Sequence, residues 1–298
     1  MHFATFSIIN FRKVTHKMKK LNESDICTML EQAKNAEEFR KQVLANLALM
    51  GPWGLNIYNS LQKLYLTDDI MKNYLSTSST ILHESFDLAA QIYPGAVAAY
   101  GRRKSFISYL VKLIDYEDVT DVYDHHALRI LLDDTDIDAV TSIEYLYVIL
   151  KGIFDHFYFK RKCLFKPLPY GIDTITDDIR NQLYVPEELP DDLRAFNDFF
   201  KDRVRFPKEN GFRGISVVII TPDYFPVEIQ LWTTSMAYIN DFGTACHDEN
   251  YKPPSKIDKI IYERGGDFLK LKKKTIVSNP LVKNTARRTF PEDLLKQH

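Results

Sequence analysis

Cysteine is scarce in this chain: the three present, Cys27, Cys163 and Cys246, stand far apart in a sequence of 298 residues. An odd number without C-x-x-C spacing excludes a disulfide framework and a cysteine-built zinc site as the organising principle, and it fits a reducing, cytoplasmic compartment. Long apolar runs are missing as well. Those present, such as 215–221, fall far short of the about 20 residues that cross a bilayer. No secretory signal is read at the start, because in MHFATFSIINFRK the positive charges follow the apolar stretch instead of preceding it. Net charge is nearly absent too: 39 Lys and Arg against 40 Asp and Glu give −1, so bulk electrostatics select no partner. No repeat or low-complexity segment is visible.

What is present is an ordinary globular composition. Hydrophobic residues at 45% and charged residues at 27% leave no room for a disordered or fibrous reading. The length suits one large domain or two small ones. Basic clusters occur at 12–20, 160–162, 270–274 and 287–288, and each taken alone reads as a solvated face. Residues 1–20 read as an N-terminal arm, and 21–94 as a helical region packing on the core. Within that region the apolar spacing predicts one helix over 22–50, broken at Gly51-Pro52, then helices over 54–65 and 67–92. From 95 the rhythm changes. A short strand at 96–101, a helix over 104–115, a strand over 119–133 and a helix over 136–157 precede a polar stretch, 158–190, in which FYFKRKCLFK alternates aromatic and basic residues. A short helix at 191–200 follows, then strands at 215–221 and 225–232 joined by Pro222-Asp223, and a helix over 233–248. Residues 253–298 read as a helical, basic tail. Strands separated by helices and then a hairpin predict an α/β (α+β) fold, a mixed sheet flanked by helices.

Three clusters carry the chemistry. In GRRKSFISYLVK, Lys104, Ser108 and Lys112 stand four residues apart, one helical turn each, and would form a file of ammonium, hydroxyl, ammonium suited to a polyphosphate. In VYDHHALRIL, Asp124 sits in an otherwise apolar strand, where an unpaired charge is expensive, so it needs a metal or a basic partner. The adjacent His125 and His126 are read as structural, since no third ligand is spaced to join them. In PVEIQLW, alternation puts Glu228, Gln230 and Trp232 on one face and Ile229 and Leu231 on the other. Two carboxylates from neighbouring strands facing a basic helix suit magnesium-nucleotide chemistry.

The order of GRRKSFISYLVK, YDHHALRI, FPKENGFRGIS, VEIQLWT and GTACHDENYK resembles the synthetase domain of RelA/SpoT-type enzymes, over about residues 95–252. Among them it is similar to the short, single-domain alarmone synthetases and their toxic relatives; the chain is too short for the hydrolase and regulatory domains of the long members. The resemblance implies a nucleotidyltransferase-like mixed sheet and a pyrophosphokinase. A ribose 3′ hydroxyl would attack the β-phosphorus of ATP, taking pyrophosphate and releasing AMP. By position, Arg102 and Arg129 would sandwich the adenine, while Lys104, Ser108 and Lys112 would hold the triphosphate. Asp124 would bind Mg²⁺, and Glu228 would bind the metal or activate the hydroxyl. Lys208, Asn210, Phe212, Gln230 and His247 would face the acceptor. Asp124 and Arg129 are five apart, so a regular strand would aim them to opposite faces, and a bulge or strand end must lie between them.

The donor motifs match and the acceptor motifs depart. The family pattern P-K-x-N-G-Y-x-S-x-H is met by Pro207, Lys208, Asn210 and Gly211, but Phe212 replaces Tyr, Gly214 replaces Ser and Ser216 replaces His. Trp232 stands where E-I-Q-x-R-T has Arg. Hydrogen bonding and positive charge are lost where free guanosine nucleotides would put their phosphates. The expected acceptor is therefore the tRNA 3′ CCA end, as in the toxic branch, with an antitoxin protein as a possible partner. The alternative is GDP or GTP, giving (p)ppGpp-type alarmones. A third reading is an inactive nucleotide-binding protein, against which Arg102, Lys104, Asp124 and Glu228 stand intact.

Overall fold

The computed structural model describes residues 20–65, 68–116, 122–168, 184–242 and 255–283. The stretch expected as one helix over 22–50 is two, α1 (Glu23–Gln32) and α2 (Ala36–Ala48). The break has a local cause: Asn35 takes an extended backbone and its side chain accepts the Glu38 amide at 2.8 Å, starting a second helix as Asn22 starts the first. Such side chains satisfy amides that a helix start leaves without partners. Helices α3 (Gly51–Tyr65) and α4 (Asp68–Ile92) follow close to their expected bounds. Pro52 falls in the first turn of α3, where its missing N–H is harmless.

Next come β1 (Val97–Arg103), α5 (Phe106–Asp115), β2 (His126–Leu132), α6 (Ala139–Phe154), a π-helical turn (Asp155–Lys160) and β3 (Leu164–Phe165). A 3₁₀ helix (Asp191–Phe199) leads into β4 (Phe200–Asp202), β5 (Ile215–Ile220), β6 (Pro226–Thr233) and α7 (Thr234–Phe242). The tail over 253–298, expected to be helical, holds α8 (Lys256–Arg264), a 3₁₀ turn (Gly266–Leu271) and then a strand, β7 (Thr275–Lys283). That strand pairs antiparallel with β1, so the sheet draws on residues beyond 95–252.

The fold is a mixed sheet flanked by helices. Seven strands run in the order β3-β5-β6-β2-β1-β7, with β4 also paired to β5, and among the described residues only β2 and β6 run parallel. Helices α4 and α6 pack on one face and on each other. Leu128, Ile130, Val217, Ile219, Ile229 and Leu231 point to that face and are fully buried, each contributing about 1.5–3 kcal/mol relative to exposure. Cross-strand registers put Tyr100, Arg129, Gln230 and Ser216 in one row on the other face, with Arg102, Ala127, Glu228 and Val218 in the next. This second face carries the polar residues. No helix of the described residues is long and apolar enough to cross a membrane.

Candidate active site

Strand β2 begins at His126, so Asp124 lies in the turn ahead of it and not inside a strand as expected. The correction removes the register conflict: Arg129 follows strand alternation, while Asp124 is free to turn to the same side. The turn is fastened to the end of β1 by the Lys104 N–H, which donates to the His125 carbonyl at 2.8 Å. Lys104 also precedes α5, whose N-cap is Ser105. The file of Lys104, Ser108 and Lys112 is thus only partly helical, yet the two lysines still converge. Both ammoniums donate to the same oxygen of Asp124, Oδ2, at 2.5 and 2.6 Å. Ser108 is exposed, and its Oγ accepts from Ser105 Oγ at 2.8 Å.

Charge in this cleft is concentrated and half-buried: the side chains of Lys104, Lys112 and Asp124 are 28%, 28% and 18% exposed. Burial pushes the Asp124 carboxyl up, but the two ammoniums outweigh it and hold it down at about 2. Its second oxygen, Oδ1, is buried without a hydrogen-bond partner. Glu228 is the opposite case. Burial first, then the Asp124 charge, push its carboxyl above the usual range, against the pull of Lys104, the Gln230 N–H and Arg102. Two acids that feel each other's charge are thus driven apart in proton affinity, one lowered and one raised, a pattern that marks functional sites.

Arg129 is 4% exposed. Its guanidinium lies over the Trp232 ring at 3.5 Å from the centroid, donates to Tyr100 Oη at 2.7 Å and to Asp241 Oδ2 at 3.2 Å, and donates through both Nε and Nη2 to Gln230 Oε1 at 3.3 Å. Gln230 Nε2 in turn donates to Glu228 Oε2 at 3.0 Å. Arg102, half-buried one row along, feels burial and then the Arg129 charge, and both lower its affinity for its proton.

The loop over 207–214 meets this network through Trp232. Phe212 packs edge-on against the indole, with centroids 5.6 Å apart, and the Lys208 ammonium lies 5.3 Å over the Phe212 ring. Asn210 holds the loop itself, its Oδ1 accepting the Phe212 amide at 3.2 Å. His247 lies outside the described residues. The structure therefore brings Arg102, Lys104, Lys112, Asp124, Arg129, Glu228 and Gln230 to one side of the sheet, with Lys208, Asn210 and Phe212 reached through Trp232. The chain matches no protein-family model and no curated protein.

Sequence reasoning missed three groups. Tyr123 beside Asp124 accepts from Lys201 Nζ at 3.1 Å, and the Lys166 ammonium lies 5.2 Å from its ring, so two further cations reach the cleft. Their positions in β4 and after β3 gave no periodic signal. Asp241 of α7 is a lone acid in its segment. Tyr74 of α4 is the third: its hydroxyl contacts His125 Nε2 and donates to the Pro226 carbonyl, tying the Asp124 turn to the start of the Glu228 strand. Its ring stacks between His126 and Phe225 at 4.0 and 4.6 Å.

Both histidines, read from the sequence as structural, are buried. Burial holds His125 down at about 4 and His126 well below its ordinary value. Unfolding frees them to titrate near about 6.5. With folded values depressed, the unfolded state binds more protons in between, so stability present above pH 6.5 is lost as pH falls toward about 4. A urea-denaturation series across that window is expected to show a loss of a few kcal/mol, and substituting both histidines by Leu should flatten it. Ser105 also matters to the fold: its buried hydroxyl caps α5 by accepting the Ser108 amide at 3.3 Å. Ser105→Ala is expected to lower stability by about 1 kcal/mol in thermal melting.

Proposed function

We propose that the chain transfers the β,γ-pyrophosphate of ATP to a ribose 3′ hydroxyl, with AMP as the leaving group. The observation that carries this reading is the Asp124 carboxylate, one oxygen gripped by Lys104 and Lys112 and the other buried without a partner, next to a Glu228 whose proton affinity is raised. Such a cluster is overbuilt for stability alone and suits a polyphosphate that can take over the two ammoniums.

The residues fit Mg²⁺. The unpartnered Oδ1 of Asp124 and the Glu228 carboxylate are hard oxygen donors. Among the described residues no group of three or more His, Cys, Asp or Glu could hold a metal, so such an ion would complete its shell with phosphate oxygens and water, as magnesium does. When bound, it would neutralise charge developing on the β- and γ-phosphates. The protein's own residues account for the rest. Lys104 and Lys112 hold the triphosphate, and the half-buried Arg102 guanidinium lies against the adenine. Glu228 takes the proton of the 3′ hydroxyl as its oxygen bonds to the β-phosphorus. The bond from the β-phosphorus to the α,β-bridging oxygen breaks, and that oxygen leaves on AMP.

On the acceptor side, the half-buried Phe212 ring, backed by the buried Trp232 and flanked by the Lys208 ammonium, offers an aromatic face for a base, which favours a terminal nucleoside without a free 5′ polyphosphate and hence the tRNA 3′ end. Backbone phosphates would then meet exposed lysines. Lys160, Lys162, Lys270 and Lys273 are exposed, whereas Lys272 is engaged by Asp258 at 2.7 Å and Arg161 by Glu84 at 2.9 Å. Transfer to tRNA should therefore weaken steeply with salt, and neutralising those four lysines should reduce the slope without altering ATP binding. The deciding experiment incubates the protein with [γ-³²P]ATP and GDP, GTP or deacylated tRNA, with [α-³²P]ATP run in parallel to identify AMP as the second product. Label on tRNA with AMP release is the expected result. Label on a guanosine nucleotide alone overturns the tRNA acceptor, ADP in place of AMP overturns pyrophosphate transfer, and no label on any acceptor leaves the inactive-binder reading.

A further inference from the structure

We infer that Arg129 is a positioning residue for Glu228, acting through Gln230, and that Trp232 clamps it in that role. The inference deepens the pyrophosphate-transfer reading and rests on it, because Glu228 matters as the group that takes the acceptor proton.

The chain of contacts is continuous. Asp241 and Tyr100 fix Nη1 of Arg129, and the Trp232 indole covers its face. Nε and Nη2 then grip Gln230 Oε1 from the facing residue of the neighbouring strand, since Arg129 and Gln230 are paired in register. This grip decides which way the Gln230 amide points. Arginine is only a donor, so the amide oxygen must face it and the NH₂ must face Glu228. Both ends of Gln230 are consequently engaged within the protein, and Glu228 Oε2 is oriented by a donor that cannot swing away. A planar five-donor guanidinium can hold this set at once; an ammonium cannot.

The competing role, stacking on the donor's adenine, conflicts with the same contacts. One face of the guanidinium lies on Trp232 at 3.5 Å, and the Tyr100 ring lies 5.4 Å away. Gly214 makes the clamp possible: a Cβ there would fall 2.5 Å from the indole, so only glycine lets Trp232 lie where it covers Arg129. Arg102, half-buried in the adjacent row, is the arginine left to meet a base.

The test separates turnover from binding in Arg129→Lys, Gln230→Leu and the double variant, with kcat measured at saturating ATP and Kd for ATP by equilibrium dialysis. Arg129→Lys is expected to lower kcat by about ten- to a hundredfold, as misorientation of a reacting group does, with Kd within threefold of wild type. Gln230→Leu should do the same, and the double variant should be no worse than the weaker single, because the two residues act in series. If Arg129→Lys does not melt cooperatively, Tyr100→Phe and Asp241→Asn each remove one of its bonds, and each should lower kcat without moving Kd. A tenfold rise in Kd with kcat unchanged, or single effects that multiply in the double variant, overturns the inference while wild-type transfer keeps the functional reading intact. A wild-type protein that neither binds nor uses ATP rejects that reading and this inference with it.

Discussion

Asp124→Asn is expected to reduce transfer about a thousandfold or more, the scale on which removing charge stabilisation from a phosphoryl-transfer site acts, without loss of ATP binding. Asparagine keeps the shape and loses the charge that holds two ammoniums at 2.5 and 2.6 Å. In the free protein Lys104 and Lys112 then repel one another, and the melting temperature should fall by several degrees. Both are also released to bind phosphate, so the Kd for ATP without divalent cation should stay level or tighten. Glu228→Gln is the complementary case: glutamine can still accept from Gln230 Nε2 but cannot take a proton, and a fall of about a hundred- to ten-thousandfold in kcat is expected. Label transfer, equilibrium dialysis and circular-dichroism melting together check both variants. Near-normal kcat in either removes that carboxylate from the proposed chemistry, and a loss of ATP affinity in Asp124→Asn would mean the carboxylate organises the donor pocket instead of restraining it.

How far the sequence foretold this cleft depended on the kind of signal. Glu228 and Gln230 were legible because strand alternation with Ile229 and Leu231 fixes which side chains share a face. Lys104 and Lys112 were legible through spacing, although Lys104 sits before α5, since Ser105 caps the helix one residue later. Asp124 was recognised as needing a cation but placed in a strand, because residues 119–133 carry β-forming side chains through the turn. The long first helix was misread because apolar spacing runs almost unbroken across Asn35, and the cap outweighs it. Strand β7 was hidden in a segment rich in lysine, where pairing with β1 is a tertiary event that no local pattern announces. Tyr74, Tyr100 and Asp241 were out of reach for the same reason: each is an ordinary residue in its own helix or strand, and only the packing of α4 and α7 against the sheet, or for Tyr100 the pairing of β1 with β2, gives it a polar partner.

Gly214→Ala is expected to destabilise the fold by about 3–4 kcal/mol, the sum of a strained backbone and a packing clash. The residue sits at φ +144°, a region L side chains rarely enter, and a Cβ there would lie 2.5 Å from both Cδ1 and Nε1 of Trp232. The indole has no easy retreat, being buried under the Arg129 guanidinium and packed at near right angles against Phe212. The two contributions separate in a double-variant cycle. With Trp232→Leu as background the clash is gone, and Gly214→Ala should then cost only the backbone strain, about 1–2 kcal/mol. Chemical denaturation of the four proteins gives the coupling directly, and its absence would mean that the glycine serves the loop conformation alone. Kinetics add a second reading of the same contact. Where alanine pushes Trp232 aside, Arg129 loses the face it rests on, and kcat should fall along with stability even at temperatures where the variant is fully folded. Trp232 can occupy its place under Arg129 only because residue 214 carries no Cβ.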